Sequence, residues 1–127
     1  MAVYTEKKTY HTKAHMGMID VTEDFQHAVE EACRQHGISA GTVTGFTYLD
    51  EKGRVVPYWH HETWHDDNGS SHIKAALLSP FITVPFVNGK ITVGPWQNLT
   101  LIECDTRDRV RDIVFQVMGE QAARRLQ

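Results

Sequence analysis

The dipeptide Asn88-Gly89 separates two segments rich in β-branched and aromatic residues, Phe81 to Val87 and Lys90 to Val93. Asparagine and glycine tolerate the positive φ that both central residues of a two-residue hairpin turn require. The pattern therefore predicts a β-hairpin and, with it, an antiparallel sheet. Pro85 has no N–H to donate to a strand ladder, so we expect its strand at a sheet edge or a bulge rather than at the centre of a sheet.

Much of the remaining chain also has the composition of β-strands. Alternating patterns and enrichment in Val, Ile, Thr, Phe and Tyr predict strands. Because these strands group as hairpins with few helices between them, they indicate an α+β domain on an antiparallel sheet. The predicted strands cover Val3 to Tyr10, Thr42 to Leu49, Arg54 to Val56, Leu99 to Cys104 and Asp112 to Met118.

One segment has clear helical periodicity. Thr22 is expected to cap its start, and Gly37 is expected to end it. A second, short helix is predicted from Ser71 through Leu78. The apolar residues of the first helix recur at intervals of three and four positions, which predicts one buried face. They are Phe25, Ala28, Val29, Ala32 and Cys33.

Composition narrows the class of protein. The 127 residues carry 13 basic and 16 acidic side chains, a formal charge of −3, and 41% are hydrophobic. A chain of this length forms one domain, here 1–127 with 120–127 as a C-terminal tail, and needs no disulfide between Cys33 and Cys104. The charge argues against a nucleic-acid partner, and no apolar run reaches the roughly 20 residues of a membrane helix. We expect a cytoplasmic protein.

Four of the eight histidines lie within residues 60–72. Among them, His61, Glu62 and His65 form the pattern His-Glu-x-x-His. On a helix the two imidazoles share a face and bind zinc, and the glutamate activates the metal-bound water of a hydrolase. Pro57 upstream and an Asp-Asp-Asn-Gly turn downstream leave little room for such a helix. A polar loop with solvated histidines is the alternative interpretation.

A different grouping in the same segment joins His60, Asp67 and His72. The spacers between them are loop-like, and Gly69 lets the chain fold back, so two imidazoles and a carboxylate can meet. Imidazole titrates near neutral pH. Such a cluster can therefore move protons, hold a divalent metal or bind phosphate.

The segment from Tyr58 to Leu78 resembles the signature of the YjbQ family, which runs Tyr-x-His, a short acidic stretch and His-Ile/Val-Lys/Arg-Ala-Ser/Ala-Leu-Leu. The resemblance extends over nearly the whole chain. Other segments that match are Met18 to Thr22, Val84-Pro85, Asn88-Gly89, Val93 to Gln97, the arginines Arg107, Arg109 and Arg111, and Gly119-Glu120.

The resemblance implies an α+β fold with a curved antiparallel sheet, sandwich- or barrel-like, one long and one short helix, and assembly as a homotrimer. It also implies a secondary thiamine-phosphate synthase, a transferase that joins a hydroxymethylpyrimidine pyrophosphate to a thiazole phosphate and expels pyrophosphate. The chain departs from the family at Pro95, which replaces a threonine, at Ser79-Pro80, which replaces the family's Leu-Gly-x-Ser turn, and most seriously in one missing segment. The family's His-Thr-Ser/Thr-Ala motif and the helix after it have no counterpart where Gly41 to Tyr48 runs into a turn.

Resemblance and chemistry together assign roles to the cluster. His60 and His72 are the acid/base pair, with Asp67 as the group that orients them. Alternatively, the three side chains are the ligands of a divalent metal, zinc or magnesium.

The expected partner is a small phosphorylated molecule. Lys74 is placed to offer a charge to its phosphate, unless it is an ordinary solvated lysine. Trp96 and Gln97 would supply a stacking face and an amide for a flat heterocycle; the alternative is a packed core tryptophan with a backbone-bonding glutamine. Two other functions stay open, a non-catalytic homologue that binds a metal or small anion and the zinc hydrolase described above.

Overall fold

The computed structural model describes residues 1–47 and 78–122. Within these ranges a curled, mostly antiparallel sheet and one long helix confirm the predicted α+β class. No helix in these ranges combines the length and apolar character that crossing a membrane requires. The predicted return strand and short helix lie outside the described residues, apart from Leu78. The elements are β1 (Ala2–Thr12), β2 (Gly17–Asp20), α1 (Thr22–His36), β3 (Ile38–Thr47), β4 (Phe81–Val87), β5 (Lys90–Ile91), β6 (Thr100–Glu103) and β7 (Arg109–Gln121).

The main sheet joins strands that are far apart in the sequence. Its order is β1-β7-β3-β4-β5, so β7 lies between β1 and β3. β1 pairs with β7 along its length, from Ala2 opposite Gly119 to Thr12 opposite Arg109. β2 and β6 form a separate two-stranded sheet. β7 is longer than the predicted strand and includes Glu120 and Gln121 of the predicted tail.

Helix α1 packs on one face of the main sheet, and the core lies between them. Phe25 of the helix meets Phe115 of β7 edge to face, with ring centroids 5.0 Å apart. Gly45 of β3 allows this approach, because a Cβ at that position would lie 2.4 Å from Cζ of Phe25. Cys33 is only partly buried. The helix residues buried in the core, all predicted, are Phe25, Ala28, Val29 and Ala32.

The start of α1 differs from the prediction that Thr22 caps it. Thr22 is the first helical residue, and Val21 occupies the cap position without a side-chain hydrogen bond. The Thr22 hydroxyl donates to Oδ1 of Asp20 over 2.6 Å and accepts from the N–H of Leu99 over 2.8 Å. It therefore ties the helix to the chain beside β2 and β6 instead of satisfying the helix's own N–H groups. Gly37, at φ 66°, ends the helix as predicted.

The predicted hairpin is confirmed, with φ of 52° at Asn88 and 75° at Gly89. Gln26 of α1 braces it. Its Nε2 donates to the Gly89 carbonyl over 2.9 Å, and its Oε1 accepts from the N–H of Ile91 over 3.0 Å. The helix and the hairpin are thus held together by a single amide side chain.

The expectation that Pro85 lies at a sheet edge or bulge is wrong, because β4 has a neighbour on each side. The Pro85 carbonyl accepts from the N–H of Thr92 over 2.9 Å. In an antiparallel strand the N and the carbonyl of one residue point to the same side. The missing N–H therefore faces the β5 side, where the β4–β5 pairing covers only Phe86 and Val87. The ladder between β3 and β4 loses no donor.

Candidate functional site

The buried side chains of β6 and of the residues that flank it change from apolar to acidic along the chain. Leu99 and Leu101 are buried, and so are Glu103 and Asp105, which are 3% and 5% exposed. Side chains two residues apart in a strand point to the same face. Glu103 at the end of β6 and Asp105 two residues later therefore place two carboxylates in the interior.

Two arginines of β7 meet these carboxylates. Arg111 donates from Nε to Oε2 of Glu103 over 2.8 Å and from Nη2 to Oε1 over 2.9 Å, a bidentate pair. Arg109 donates from Nε to Oδ2 of Asp105 over 2.9 Å, and Nη2 of Arg111 lies 3.4 Å from the same oxygen. Buried carboxylates need such partners, because an unpaired buried charge is strongly destabilising.

Thr12 of β1 completes this group, which we call the carboxylate–arginine cluster (Thr12, Glu103, Asp105, Arg109 and Arg111). The buried Thr12 hydroxyl lies 2.6 Å from Oε2 of Glu103 and 3.0 Å from the Arg109 carbonyl. Burial acts to raise the pKa of Glu103, but hydrogen bonds from Arg111, Thr12 and the Asp105 N–H outweigh it and hold that pKa below its ordinary value. The hydrogen bond to Glu103 raises the pKa of Arg111. Glu103 and Arg111 are therefore both charged at neutral pH.

The turn between β1 and β2 holds the backbone of the two acidic residues. His15 and Met16 have φ of 58° and 68°, a left-handed conformation that is unfavourable for residues other than glycine. Their N–H groups donate to the carbonyls of Asp105 over 2.9 Å and Glu103 over 2.7 Å. The two unfavourable backbone conformations, at His15 and Met16, thus occur where their N–H groups hold the backbone of Glu103 and Asp105.

Trp96 lies on the turn between β5 and β6 with 94% of its surface exposed. Gln97 closes this turn. Its N–H donates to the Gly94 carbonyl over 3.0 Å, and its Oε1 accepts from the Gly94 N–H over 2.8 Å. The indole is therefore an open flat surface on a hydrogen-bonded turn, whereas the amide oxygen of Gln97 is already engaged with the backbone.

The histidine-rich segment lies outside the described residues, and so do all candidate site residues within it. Across residues 1–47 and 78–122, no three His, Cys, Asp or Glu side chains are grouped so as to hold a metal ion. The histidines of these ranges, His11, His15, His27 and His36, are exposed. The candidate residues outside the described ranges are His60, His61, Glu62, His65, Asp67, His72 and Lys74.

Sequence reasoning assigned no role to the carboxylate–arginine cluster. One signal was present in the alternation of Leu99 and Leu101, which continues with Glu103 on the same face. A second was Arg111, which lies two residues before the buried Ile113 and so points to the same face of β7. A charged residue that continues an apolar alternation indicates a buried ion pair when two strands show it together.

The curled antiparallel sheet with one helix packed on it defines an α+β protein of the half-barrel type. A family model described as UPF0047 protein YjbQ-like matches residues 47–120, more than half of the chain. The chain therefore belongs to the YjbQ family, which confirms the resemblance seen in the sequence.

Relatives from archaea share this family over most of their length. A UPF0047 protein of Methanothermobacter thermautotrophicus is 28% identical, covering 94% of this chain and 95% of its own. One of Archaeoglobus fulgidus is 26% identical, covering 87% and 98%. A crystal structure from Sulfolobus solfataricus, described as a YbjQ-like protein of unknown function, is 26% identical and superposes with a TM-score of 0.75, covering 94% of this chain and 99% of that one. A hypothetical protein of Aeropyrum pernix, 22% identical with a TM-score of 0.67 and covering 92% and 99%, shares the fold.

Proposed function

We propose that the protein is a transferase of the thiamine-phosphate-synthase type, acting on a small phosphorylated molecule that contains a flat ring. The observation that carries the proposal is the exposure of Trp96, 94% of whose surface faces solvent. Burying a large apolar side chain stabilises a protein by about 1.5–3 kcal/mol. An indole that is left outside the core keeps this contact surface for a ligand.

A heterocycle fits such a surface well. Stacking of a nucleobase on an aromatic side chain contributes about 1–3 kcal/mol per base, and pyrimidine and thiazole rings offer a similar π-face. The two hydrogen bonds between Gly94 and Gln97 hold the turn that carries the indole. Less conformational freedom is then lost when a ring binds.

The proposed reaction is a substitution at carbon. A bond forms between the thiazole nitrogen and the methylene carbon of the pyrimidine, the bond from that carbon to the diphosphate oxygen breaks, and its electron pair leaves with pyrophosphate. Positive groups beside the departing pyrophosphate lower the barrier. We assign Lys74 the role of such a positive group. His60 and His72, oriented by Asp67, protonate the departing group or, together with that carboxylate, hold a zinc or magnesium ion.

The test is the condensation of the two thiamine precursors by the purified full chain, with chromatographic detection of the product. We expect His72→Ala to abolish the activity. Trp96→Ala should raise KM about ten-fold through lost stacking, and Trp96→Phe should leave KM close to that of the wild type. Met18→Ala removes an exposed apolar side chain of β2 and is the control, with an unchanged KM.

Other results would redirect the proposal. A folded wild-type protein that makes no product would overturn the transferase and favour a non-catalytic homologue that binds a metal or small anion. Metal analysis of untagged protein separates the remaining alternative. Metal that is lost in His61→Ala but kept in His60→Ala would favour the zinc hydrolase.

We also propose that the protein assembles as a homotrimer. Support comes from the face of the main sheet opposite α1, where side chains that alternate with the core are apolar and exposed. Light scattering should give three times the 14.5 kDa of one chain, and Met118→Lys should lower that mass. A monomeric wild type would contradict the assembly. The exposed apolar residues of this face are Val3, Phe81, Val87, Val110 and Met118.

A further inference from the structure

We infer that Arg109 and Arg111 form a binding site for a phosphate or diphosphate group, with the buried carboxylates of Glu103 and Asp105 orienting them. The inference rests on the proposed function for its choice of a phosphorylated ligand. It adds a second part of the substrate site, carried by residues of β7 that the family resemblance left without a role.

The two guanidinium groups keep N–H donors that the carboxylates do not use. Arg111 donates to the two carboxylates from Nε and Nη2, whereas Arg109 donates only from Nε. In the part of the chain that the structure describes, Nη1 of Arg111 and both Nη atoms of Arg109 have no hydrogen-bond partner. These atoms remain as N–H donors that no described residue engages.

The two partners of each ion pair differ in their exposure to solvent. The side chains of Arg109 and Arg111 are 34% and 39% exposed, whereas those of Asp105 and Glu103 are 6% and 4% exposed. The carboxylates therefore lie deeper in the protein than the guanidinium groups they hold. A ligand that arrives from solvent meets the arginine donors first.

Hydrogen bonds hold the carboxylate–arginine cluster in a fixed arrangement. The Thr12 hydroxyl and the Asp105 N–H both bond to Glu103, and the His15 and Met16 N–H groups hold the backbone of the two acidic residues. The guanidinium groups are thus held before any ligand binds, so little side-chain freedom is lost on binding.

The chemistry of the donors selects the ligand. A guanidinium group is planar and presents paired N–H donors that match two oxygens of a phosphate. Two arginines and two carboxylates sum to no net charge, so binding depends on oriented donors more than on a positive field. A diphosphate, which offers oxygens on two phosphorus atoms, suits two guanidinium groups that share the carboxylate of Asp105.

The experiment is calorimetric titration of the full chain with inorganic pyrophosphate at low salt. We expect wild-type binding that is weakened at least ten-fold in Arg109→Gln. Because Arg111→Gln alone leaves Glu103 buried and unpaired, the second variant is the double change Glu103→Gln with Arg111→Gln, which removes both charges and should bind equally weakly. Arg34→Gln breaks an exposed Arg–Glu pair on α1 and is the matched control, with affinity within two-fold of the wild type.

Each result of the titration supports or overturns the anion site. No wild-type binding, or equal affinity in the wild type and in both cluster variants, would overturn the inference and leave the cluster as a structural ion-pair network. Trp96→Ala keeps the arginines, so it should bind pyrophosphate like the wild type. Pyrophosphate binding without condensation activity would refute the proposed transferase and retain the anion site. Condensation activity without pyrophosphate binding would retain the transferase and refute the anion site.

Discussion

The guanidinium of Arg111 makes two hydrogen bonds to the carboxylate of Glu103, of 2.8 and 2.9 Å. Glu103 is at the end of β6 and 3% exposed, while Arg111 belongs to β7, which lies between β1 and β3 in the main sheet. This pair links, through charge, the two sheets formed by residues 1–47 and 78–122. Because the carboxylate is buried, it depends on the permanently charged guanidinium of Arg111 to remain ionised.

Removing one partner of this pair should destabilise the fold. Arg111→Gln leaves the buried Glu103 carboxylate without its bidentate donor, and we expect a loss of about 3–5 kcal/mol in the free energy of unfolding. The double change to glutamine at both positions should lose less, because no charge is left unpaired. Urea denaturation of the three proteins measures both values. A single variant as stable as the double one would contradict this account.

Stability should also fall in acid through Glu103. Its pKa is held below the ordinary 4.5 in the folded protein. A depressed pKa contributes stability that is complete above the unfolded value and is lost as the pH falls through the folded value. We therefore expect the free energy of unfolding to decline below about pH 4.5, and to decline less in the double glutamine variant. Equal acid sensitivity in both proteins, measured by urea denaturation across that range, would argue against Glu103 as the source.

Thr12 should act through the same carboxylate. Thr12→Val keeps the side-chain shape but removes the hydroxyl that lies 2.6 Å from Oε2 of Glu103. A hydrogen bond to a charged group contributes about 1.5–3 kcal/mol, so we expect a stability loss of this order and an acid transition at higher pH. Thr12→Ser keeps the hydroxyl and serves as the control. If the serine and valine variants have the same acid transition, the hydroxyl does not set the pKa of Glu103.

Packing of α1 on the sheet should depend on Gly45. A methyl group at this position would lie 2.4 Å from Cζ of Phe25, and an aromatic ring in a packed core has little room to move. We expect Gly45→Ala to cost about 1–3 kcal/mol in thermal or urea denaturation. Phe25→Leu shortens the opposing side chain, so the two changes together should cost less than the sum of the single ones. Additive losses would show that the ring is not the obstacle.

Local sequence patterns predicted those elements whose structure depends mainly on residues that are close together in the sequence. The spacing of Phe25, Ala28, Val29 and Ala32 identified the buried face of α1, and the Asn88-Gly89 turn identified the hairpin, because backbone geometry and side-chain period are local properties. Strand limits were less accurate. β3 begins at Ile38, before the predicted Thr42–Leu49 segment, because its pairing with β7 and β4 sets its ends.

The sequence by itself determined the class of elements, the apolar face of α1, the turn residues of the hairpin and, through its motifs, the family. The tertiary structure alone decided that Thr22 bonds to Leu99, that Trp96 stays outside the core and that Arg111 meets Glu103. The physical reason is that a charged residue in a strand is ordinarily a solvated one. Burial of Glu103 among residues of other strands, Thr12 of β1 and Arg111 of β7, removes water from its carboxylate and makes the arginine its necessary partner.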